Sequence, residues 1–207
     1  QEDGRITAAA FSADGTKILT GSSDGTARLW SVPVGAPLAS PMRHEGGVLT
    51  AAFSSLKNTI AIGAQDGTIT LWDAGLGRAA DDWIKSTGES KVTALSLDGK
   101  ILAVAANAAA RLIKIQNGEF IGRPMPLGGE PFKFTFSPDG ARAVSVSFSS
   151  KEQRAEARLW DTASADAIGN PLCADADKKT SAFSPDGKTF AAACPDGLVR
   201  LWDSGSA

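Results

Sequence analysis

An all-β fold, a β-propeller of five four-stranded blades, is predicted by three features of the 207-residue chain. The first is a recurring strand end, Leu29-Trp30, Leu71-Trp72, Leu159-Trp160 and Leu201-Trp202, with Leu112-Ile113 as a fifth copy that has Ile where the Trp would be. The second is a recurring opening, Phe11-Ser12, Phe53-Ser54, Phe136-Ser137 and Phe183-Ser184, with Leu95-Ser96 as the weakened copy. Phe11, Phe53 and Leu95 stand 42 residues apart, Phe136 follows after 41 and Phe183 after 47. The third is Asp-Gly between short strand-like runs, as in Pro185-Asp186-Gly187 and Pro195-Asp196-Gly197, the strongest local signal for a hairpin. A period of about 40–45 residues holding four short strands is the signature of a propeller blade.

Unit 1 (residues 5–43) opens at Arg5-Ile6-Thr7-Ala8-Ala9-Ala10-Phe11, the strand expected nearest the axis, where small Ala side chains suit the crowding. Residues 17–21 and 26–30 follow as second and third strands, and the outer strand is expected at residues 37–42, where two prolines fit an edge that tolerates a missing N–H. Unit 2 (residues 44–86) repeats this with strands at 48–53, 59–63 and 68–72 and an outer strand around Trp83-Ile84-Lys85. Unit 3 (residues 87–128) is degenerate. It keeps Leu97-Asp98-Gly99 and Ile101-Leu102-Ala103-Val104, but Asn107-Ala108-Ala109-Ala110 replaces the second Asp-Gly; its third strand is read at 111–115 and its outer strand at 120–125. Unit 4 (residues 129–175) carries five extra residues before its Trp, which fall at 149–156 and read as a solvated, charged hairpin tip. Its outer strand, Ile168-Gly169-Asn170-Pro171-Leu172, echoes Ile121-Gly122-Arg123-Pro124-Met125. Unit 5 (residues 176–207) holds three strands within residues 181–203, so nineteen strands are expected and the last outer strand is missing.

The pattern Ala-Phe-Ser-Pro-Asp-Gly…Asp-Gly-x-x-Arg-Leu-Trp-Asp, complete at residues 182–203 and phased through all five units, resembles the WD-repeat β-propellers over nearly the whole chain. In that family the ring closes by pairing strands from both termini in one blade. Here the chain starts on an innermost strand, without Met, and stops after a third strand. The expectation is a segment of a larger, seven-bladed propeller; a five-bladed ring lacking one edge strand, or closure through a second copy or partner chain, are the alternatives. The resemblance also implies a buried tetrad in each blade: His before the first strand, Ser or Thr on the second, Asp in the second turn, Trp on the third. Unit 1 offers Thr20, Asp24 and Trp30, with Glu2 for the His. Unit 2 offers His44, Asp66 and Trp72, with Ile62 for the hydroxyl. Unit 4 has Ser145 and Trp160, unit 5 has Asp196 and Trp202 with Ala192 on the second strand, and unit 3 has none. These residues are read as structural, and His44, the only histidine, as a link to Asp66 and Trp72 rather than a general base or metal ligand.

Chemistry is poorly served elsewhere. No G-x-S-x-G elbow accompanies a nucleophile. The acid pairs Asp81-Asp82 and Asp175-Ala176-Asp177 lack the further oxygen ligands of a calcium loop, and residues 21–26 lack the Lys-Ser/Thr of a phosphate loop. The positions read as facing the axis, Ala8, Ala10, Thr50, Ala52, Thr93, Phe134 and Ala182, offer no carboxylate pair for a glycosidase. No enzyme activity, cofactor or metal is therefore expected. The net charge of −2 argues against a dedicated nucleic-acid or acidic-membrane binder. No apolar run approaches the roughly 20 residues of a membrane helix, and Gln1-Glu2-Asp3-Gly4 does not open a signal peptide. Cys173 and Cys194 are read as small apolar fillers on an outer strand and on an inner strand of the next unit, in keeping with a reducing, cytoplasmic setting.

Surfaces remain. In the WD family the face carrying the loops before the first and after the second strands often binds peptides or proteins, which implies a partner site at Ser23, Lys91, Asn107, Phe132, Lys151, Arg154, Lys178 and Lys179. Phe132 stands out as an aromatic anchor, with packing against the neighbouring blade as its other reading. The expected function is a non-catalytic protein or peptide interaction scaffold. Arg158-Leu159-Trp160-Asp161-Thr162 followed by residues 168–172 looks like the bacterial WD-repeat arrays, which often form the sensor or regulatory tail of a serine/threonine kinase or a STAND-type NTPase. The alternative is a ligand- or carbohydrate-binding propeller or a propeller hydrolase.

Overall fold

A computed structural model describes residues 4–12, 14–53, 59–75, 78–85, 92–174 and 181–205. Among these residues there are nineteen strands and no helix. The first sheet holds β1 (Ile6–Phe11), β2 (Lys17–Ser22), β3 (Thr26–Ser31) and β4 (Met42–Arg43); the second holds β5 (Val48–Phe53), β6 (Thr59–Ala64), β7 (Thr68–Asp73) and β8 (Arg78–Lys85). The third holds β9 (Val92–Leu95), β10 (Ile101–Ala106), β11 (Ala109–Lys114) and β12 (Phe120–Pro126); the fourth holds β13 (Glu130–Phe136), β14 (Arg142–Ser149), β15 (Arg154–Asp161) and β16 (Ala167–Ala174). The fifth has three strands, β17 (Ser181–Phe183), β18 (Thr189–Ala193) and β19 (Val199–Asp203). Each sheet is a meander in chain order, as Asp-Gly hairpins dictate. Gly25, Gly67 and Gly197 take φ of 81°, 80° and 82° in the turns after the second strands, a conformation open to glycine at no steric cost. The third sheet reverses at the equivalent point with a shorter, two-residue loop, Asn107 and Ala108, both left-handed at φ of 49° and 59°.

By contacts the chain divides into two compact units, Gln1–Val104 and Ala105–Ala207. In the first, Leu19, Ala27 and Leu29 of the first sheet pack on Val48, Ile60 and Ile62 of the second. In the second, Val144, Val146 and Leu159 of the fourth sheet pack on Phe190 and Ala192 of the fifth, with Phe183 and Trp202 at the margin. Each buried Leu, Ile or Phe in these seams contributes about 1.5–3 kcal/mol through the apolar area removed from water. Polar links follow the seams. Thr7 Oγ1 donates to the Val48 carbonyl, and Arg142 Nε donates to the Ser204 carbonyl at 3.1 Å while its Nη1 pairs with Asp161 at 2.7 Å.

Several sequence expectations are corrected. The first sheet's outer strand is only the two residues of β4, with Trp30 and Pro37 forming an isolated bridge, because prolines at 33, 37 and 41 interrupt the ladder. The third strand of unit 3 begins at Ala109, two residues earlier than read. The unit 4 insertion is mostly ladder: Ser147↔Glu156, Phe148↔Ala155 and Ser149↔Arg154 continue the hairpin, and residues 150–153 alone form the tip. Lys133, not Phe134, occupies the rung of Ala8 and Thr50: it stands three residues before Phe136, as they stand before Phe11 and Phe53, and the β-bulge after Pro131 matches those after Ile6 and Val48. Phe134 is buried.

The cysteine reading also fails. Cys173, near the end of β16, and Cys194, just after β18, form a disulfide with a Cα–Cα distance of 5.4 Å. The reason is topological: the outer strand of one sheet ends beside the second strand of the next, a proximity that a separation of 21 residues does not reveal. The reducing setting drawn from free thiols loses that support.

Candidate interaction surface

The tetrad positions resolve into pairs. Trp30 Nε1 donates to Thr20 Oγ1 at 2.8 Å, and Trp160 Nε1 donates to Ser145 Oγ at 2.9 Å in a fully buried setting. Both bonds are diagonal: Trp30 stands opposite Ile18 and Trp160 opposite Ala143, and the hydroxyl lies two residues further along the partner strand on the same face. The turn aspartates do not reach these indoles. Asp24 Oδ1 accepts from the Thr26 amide and hydroxyl at 2.8 and 2.7 Å, Asp66 Oδ1 does the same with Thr68, and Asp196 accepts from the Leu198 amide and pairs with Arg200. Glu2 lies outside the described residues.

His44 departs from its expected role. Its ring lies 3.3 Å (Nδ1) from the Thr70 hydroxyl and has no hydrogen bond to Trp72, whose buried Nε1 has no partner among the described residues. Burial, which favours the neutral ring, holds the imidazole below its ordinary pKa, against the pull of the Asp66 charge. Among the described residues no three His, Cys, Asp or Glu side chains gather as a metal site. In unit 5, Trp202 is half-buried against Phe190, their ring centroids 6.1 Å apart.

The first turns carry a second device. Ser12, Ser137 and Ser184 each donate from Oγ to the aspartate two residues on (Asp14, Asp139 and Asp186) at 2.6 Å, and Ser96 does so to Asp98 at 2.8 Å. The Ser12 hydroxyl, followed by the Thr16 amide and hydroxyl, lowers the Asp14 pKa to about 2. Hydrogen bonds from Ser137 and Ser184 hold Asp139 and Asp186 down in the same way.

Of the residues read as partner-binding, Ser23, Asn107 and Lys151 lie in turns after second strands, whereas Phe132 and Arg154 lie on strands. Ser23 Oγ accepts from the Arg5 amide at 3.0 Å, pinning the start of β1. Asn107 is exposed and serves the left-handed turn. Lys151 and Arg154 are exposed at the β14–β15 hairpin, where Arg154 pairs with Glu152 at 2.6 Å. Phe132 occupies the inner-strand bulge and is partly buried against the cluster that includes Val144 and Phe190. Lys91, Lys178 and Lys179 lie outside the described residues.

Sequence reading passed over two features. Lys133, half-buried, donates from Nζ to the Ser181 carbonyl at 2.6 Å and to its hydroxyl at 3.0 Å, and burial lowers its pKa; a lysine inside Glu-Pro-Phe-Lys-Phe-Thr-Phe was the visible signal. The other is the apolar face of β19. Leu29, Leu71 and Leu159 are 1%, 2% and 1% exposed, whereas their counterpart Leu201 is 69% exposed, beside Val199 at 68%.

Comparison with known proteins agrees with these blades. The WD domain, G-beta repeat family matches residues 1–31, 35–73 and 175–203. Among solved structures, hydrazine synthase of Kuenenia stuttgartiensis is similar with a TM-score of 0.76 at 16% identity, over 90% of this chain and 54% of that one, a likeness of fold. The chain thus spans about half the length of that structure. No curated protein matches. Residues 1–31, 35–73 and 175–203 thus match the WD repeat, which generally mediates protein interactions.

Proposed function

We propose that the chain is a non-catalytic scaffold that binds protein, and that its primary contact is the uncovered face of β19. The exposure of Leu201 and Val199 carries this reading: the same leucine is sealed in three other sheets, so a protein surface of blade type suits it. β19 also has no fourth strand beside it among the described residues, which leaves its outer backbone groups open to pairing. A second copy of this chain is the occupant we favour, with further blades of a longer chain as the other arrangement. By analogy with bacterial WD arrays, such a chain serves as the sensor or regulatory tail of a larger signalling protein, a kinase or a STAND-type NTPase. Ser23, Asn107 and the Lys151–Arg154 tip then offer polar contacts to a peptide or protein partner.

Light scattering coupled to size exclusion, on the wild-type chain and a Val199→Glu/Leu201→Glu variant, tests this. Concentration-dependent self-association is expected for the wild type, and loss of that association at unchanged Tm for the variant. A wild type that stays monomeric, with a Tm that falls sharply in the variant, would show that the chain covers this face itself and would overturn the proposal.

A further inference from the structure

The Cys173–Cys194 disulfide stands where the fifth blade is least secured. β19 is held by one ladder, to β18, whereas β3, β7, β11 and β15 each have a strand on both sides. Cys194 closes the β18–β19 turn, its amide donating to the Leu198 carbonyl at 2.8 Å and its carbonyl accepting from Gly197 at 3.0 Å. The disulfide therefore ties that turn to the outer strand of the fourth blade. The bond lies in the wall of an open cavity of about 480 Å³ lined by Pro171, Leu172, Pro195, Asp196, Arg200 and Trp202. Cys194 is fully buried, while Cys173 is only partly so. Arg200 Nη1 lies 3.8 Å from Cys173 Sγ, and its Nη2 is held by Asp196 at 2.5 Å.

We infer that Cys173 and Cys194 form a redox latch, a modification site for a dithiol reductant that locks the β18–β19 turn when oxidised and releases it when reduced. A thiolate of the reductant attacks the accessible Cys173 Sγ. The Sγ–Sγ bond breaks and its electron pair leaves on Cys194 Sγ, which takes a proton. The reductant's second thiol then attacks its own sulfur in the mixed disulfide, expelling Cys173 as a thiolate and leaving the reductant as a disulfide, so two electrons pass to the chain. Arg200 is a positioning residue for this step: its guanidinium favours the Cys173 thiolate, which makes Cys173 the better leaving group and the disulfide more readily reduced. In a reducing compartment such a bond is of the transient, redox-sensing kind.

The test uses the full chain purified without reductant. Alkylation of the denatured protein is expected to add nothing before dithiothreitol and two groups after it. Hydrogen exchange at the Cys194 and Gly197 amides is expected to quicken several-fold on reduction while the β14–β15 ladder is unchanged. In a glutathione redox buffer, Arg200→Gln is expected to shift the ratio several-fold toward the disulfide, with Arg200→Lys restoring much of the difference. Two groups added before reduction, equal exchange in both states, or an unchanged ratio in Arg200→Gln would each overturn the latch.

Discussion

The fourth and second blades carry their tryptophan on the same rung, yet only the fourth gives the indole a partner. Trp160 meets Ser145, two residues along the neighbouring strand. In the second blade that rung pairs Ile62 with Thr70, so the hydroxyl has crossed the ladder. There it faces His44, and Trp72 Nε1 is buried without a partner among the described residues. The exchange leaves strand propensity and burial intact, since Ile62 and Thr70 are both sealed. What changes is which buried donor is satisfied, a difference of about 1–3 kcal/mol at each site.

The largest effect is expected at the indoles themselves. Trp160→Ala should cost about 3–5 kcal/mol in urea denaturation, as for a fully buried aromatic. Trp202→Ala should cost clearly less, because that ring is half-buried beside an uncovered face; equal losses would erase the contrast between sealed and open blades. Next comes the hydroxyl. Ser145→Ala should cost about 1–3 kcal/mol by orphaning Trp160 Nε1. Ile62→Thr should recover about 1 kcal/mol of coupling with Trp72, isolated by a double-mutant cycle with Trp72→Phe. A coupling of zero would mean that the new hydroxyl does not reach the indole.

The first turns separate the same two blades. Ser137 and Asp139 cap the fourth, whereas the second has Leu56 where the aspartate would stand. Asp14 in the first blade shows the pH consequence. Its folded pKa of about 2 lies below the unfolded value of about 3.9, so its contribution is complete above pH ~4 and is lost as pH falls through ~2. Tm measured from pH 5 to 2 should fall across that window, and Ser12→Ala should flatten the fall. An identical slope in the variant would place the acid sensitivity elsewhere.

Most of the fold was legible because its determinants are local. Phe-Ser, Asp-Gly and Leu-Trp at a near-constant period set strand, turn and blade, and the expected count of nineteen strands is found, with the first blade's outer strand reduced to Met42–Arg43. What escaped depends on register or on contacts between sheets. Lys133, not Phe134, falls on the rung of Ala8 and Thr50, three residues before the Phe that ends each strand. The Ile62–Thr70 exchange redirected His44. The disulfide joins residues of two different sheets. The partner surface was the least legible part: exposed polar loop residues such as Ser23 and Asn107 are also what a turn requires, and the exposed face of β19 is invisible in a sequence whose Leu201 matches three buried leucines.

The smallest effect should fall on the insertion that distinguishes the fourth blade by length. Residues 150–153 are all exposed, and the ladder on either side already closes at Ser149↔Arg154. Replacing the four residues with Asn-Gly gives that rung a two-residue hairpin turn suited to the strand twist. The exposed Arg154–Glu152 pair is lost, but such pairs contribute about 0–1 kcal/mol. Stability should therefore stay within about 0.5 kcal/mol of the parent in urea denaturation. A loss well beyond that would show that the tip packs against the blade. Unchanged stability would make the variant a clean probe of whether Lys151 touches a partner, because any loss of binding would then owe nothing to the fold.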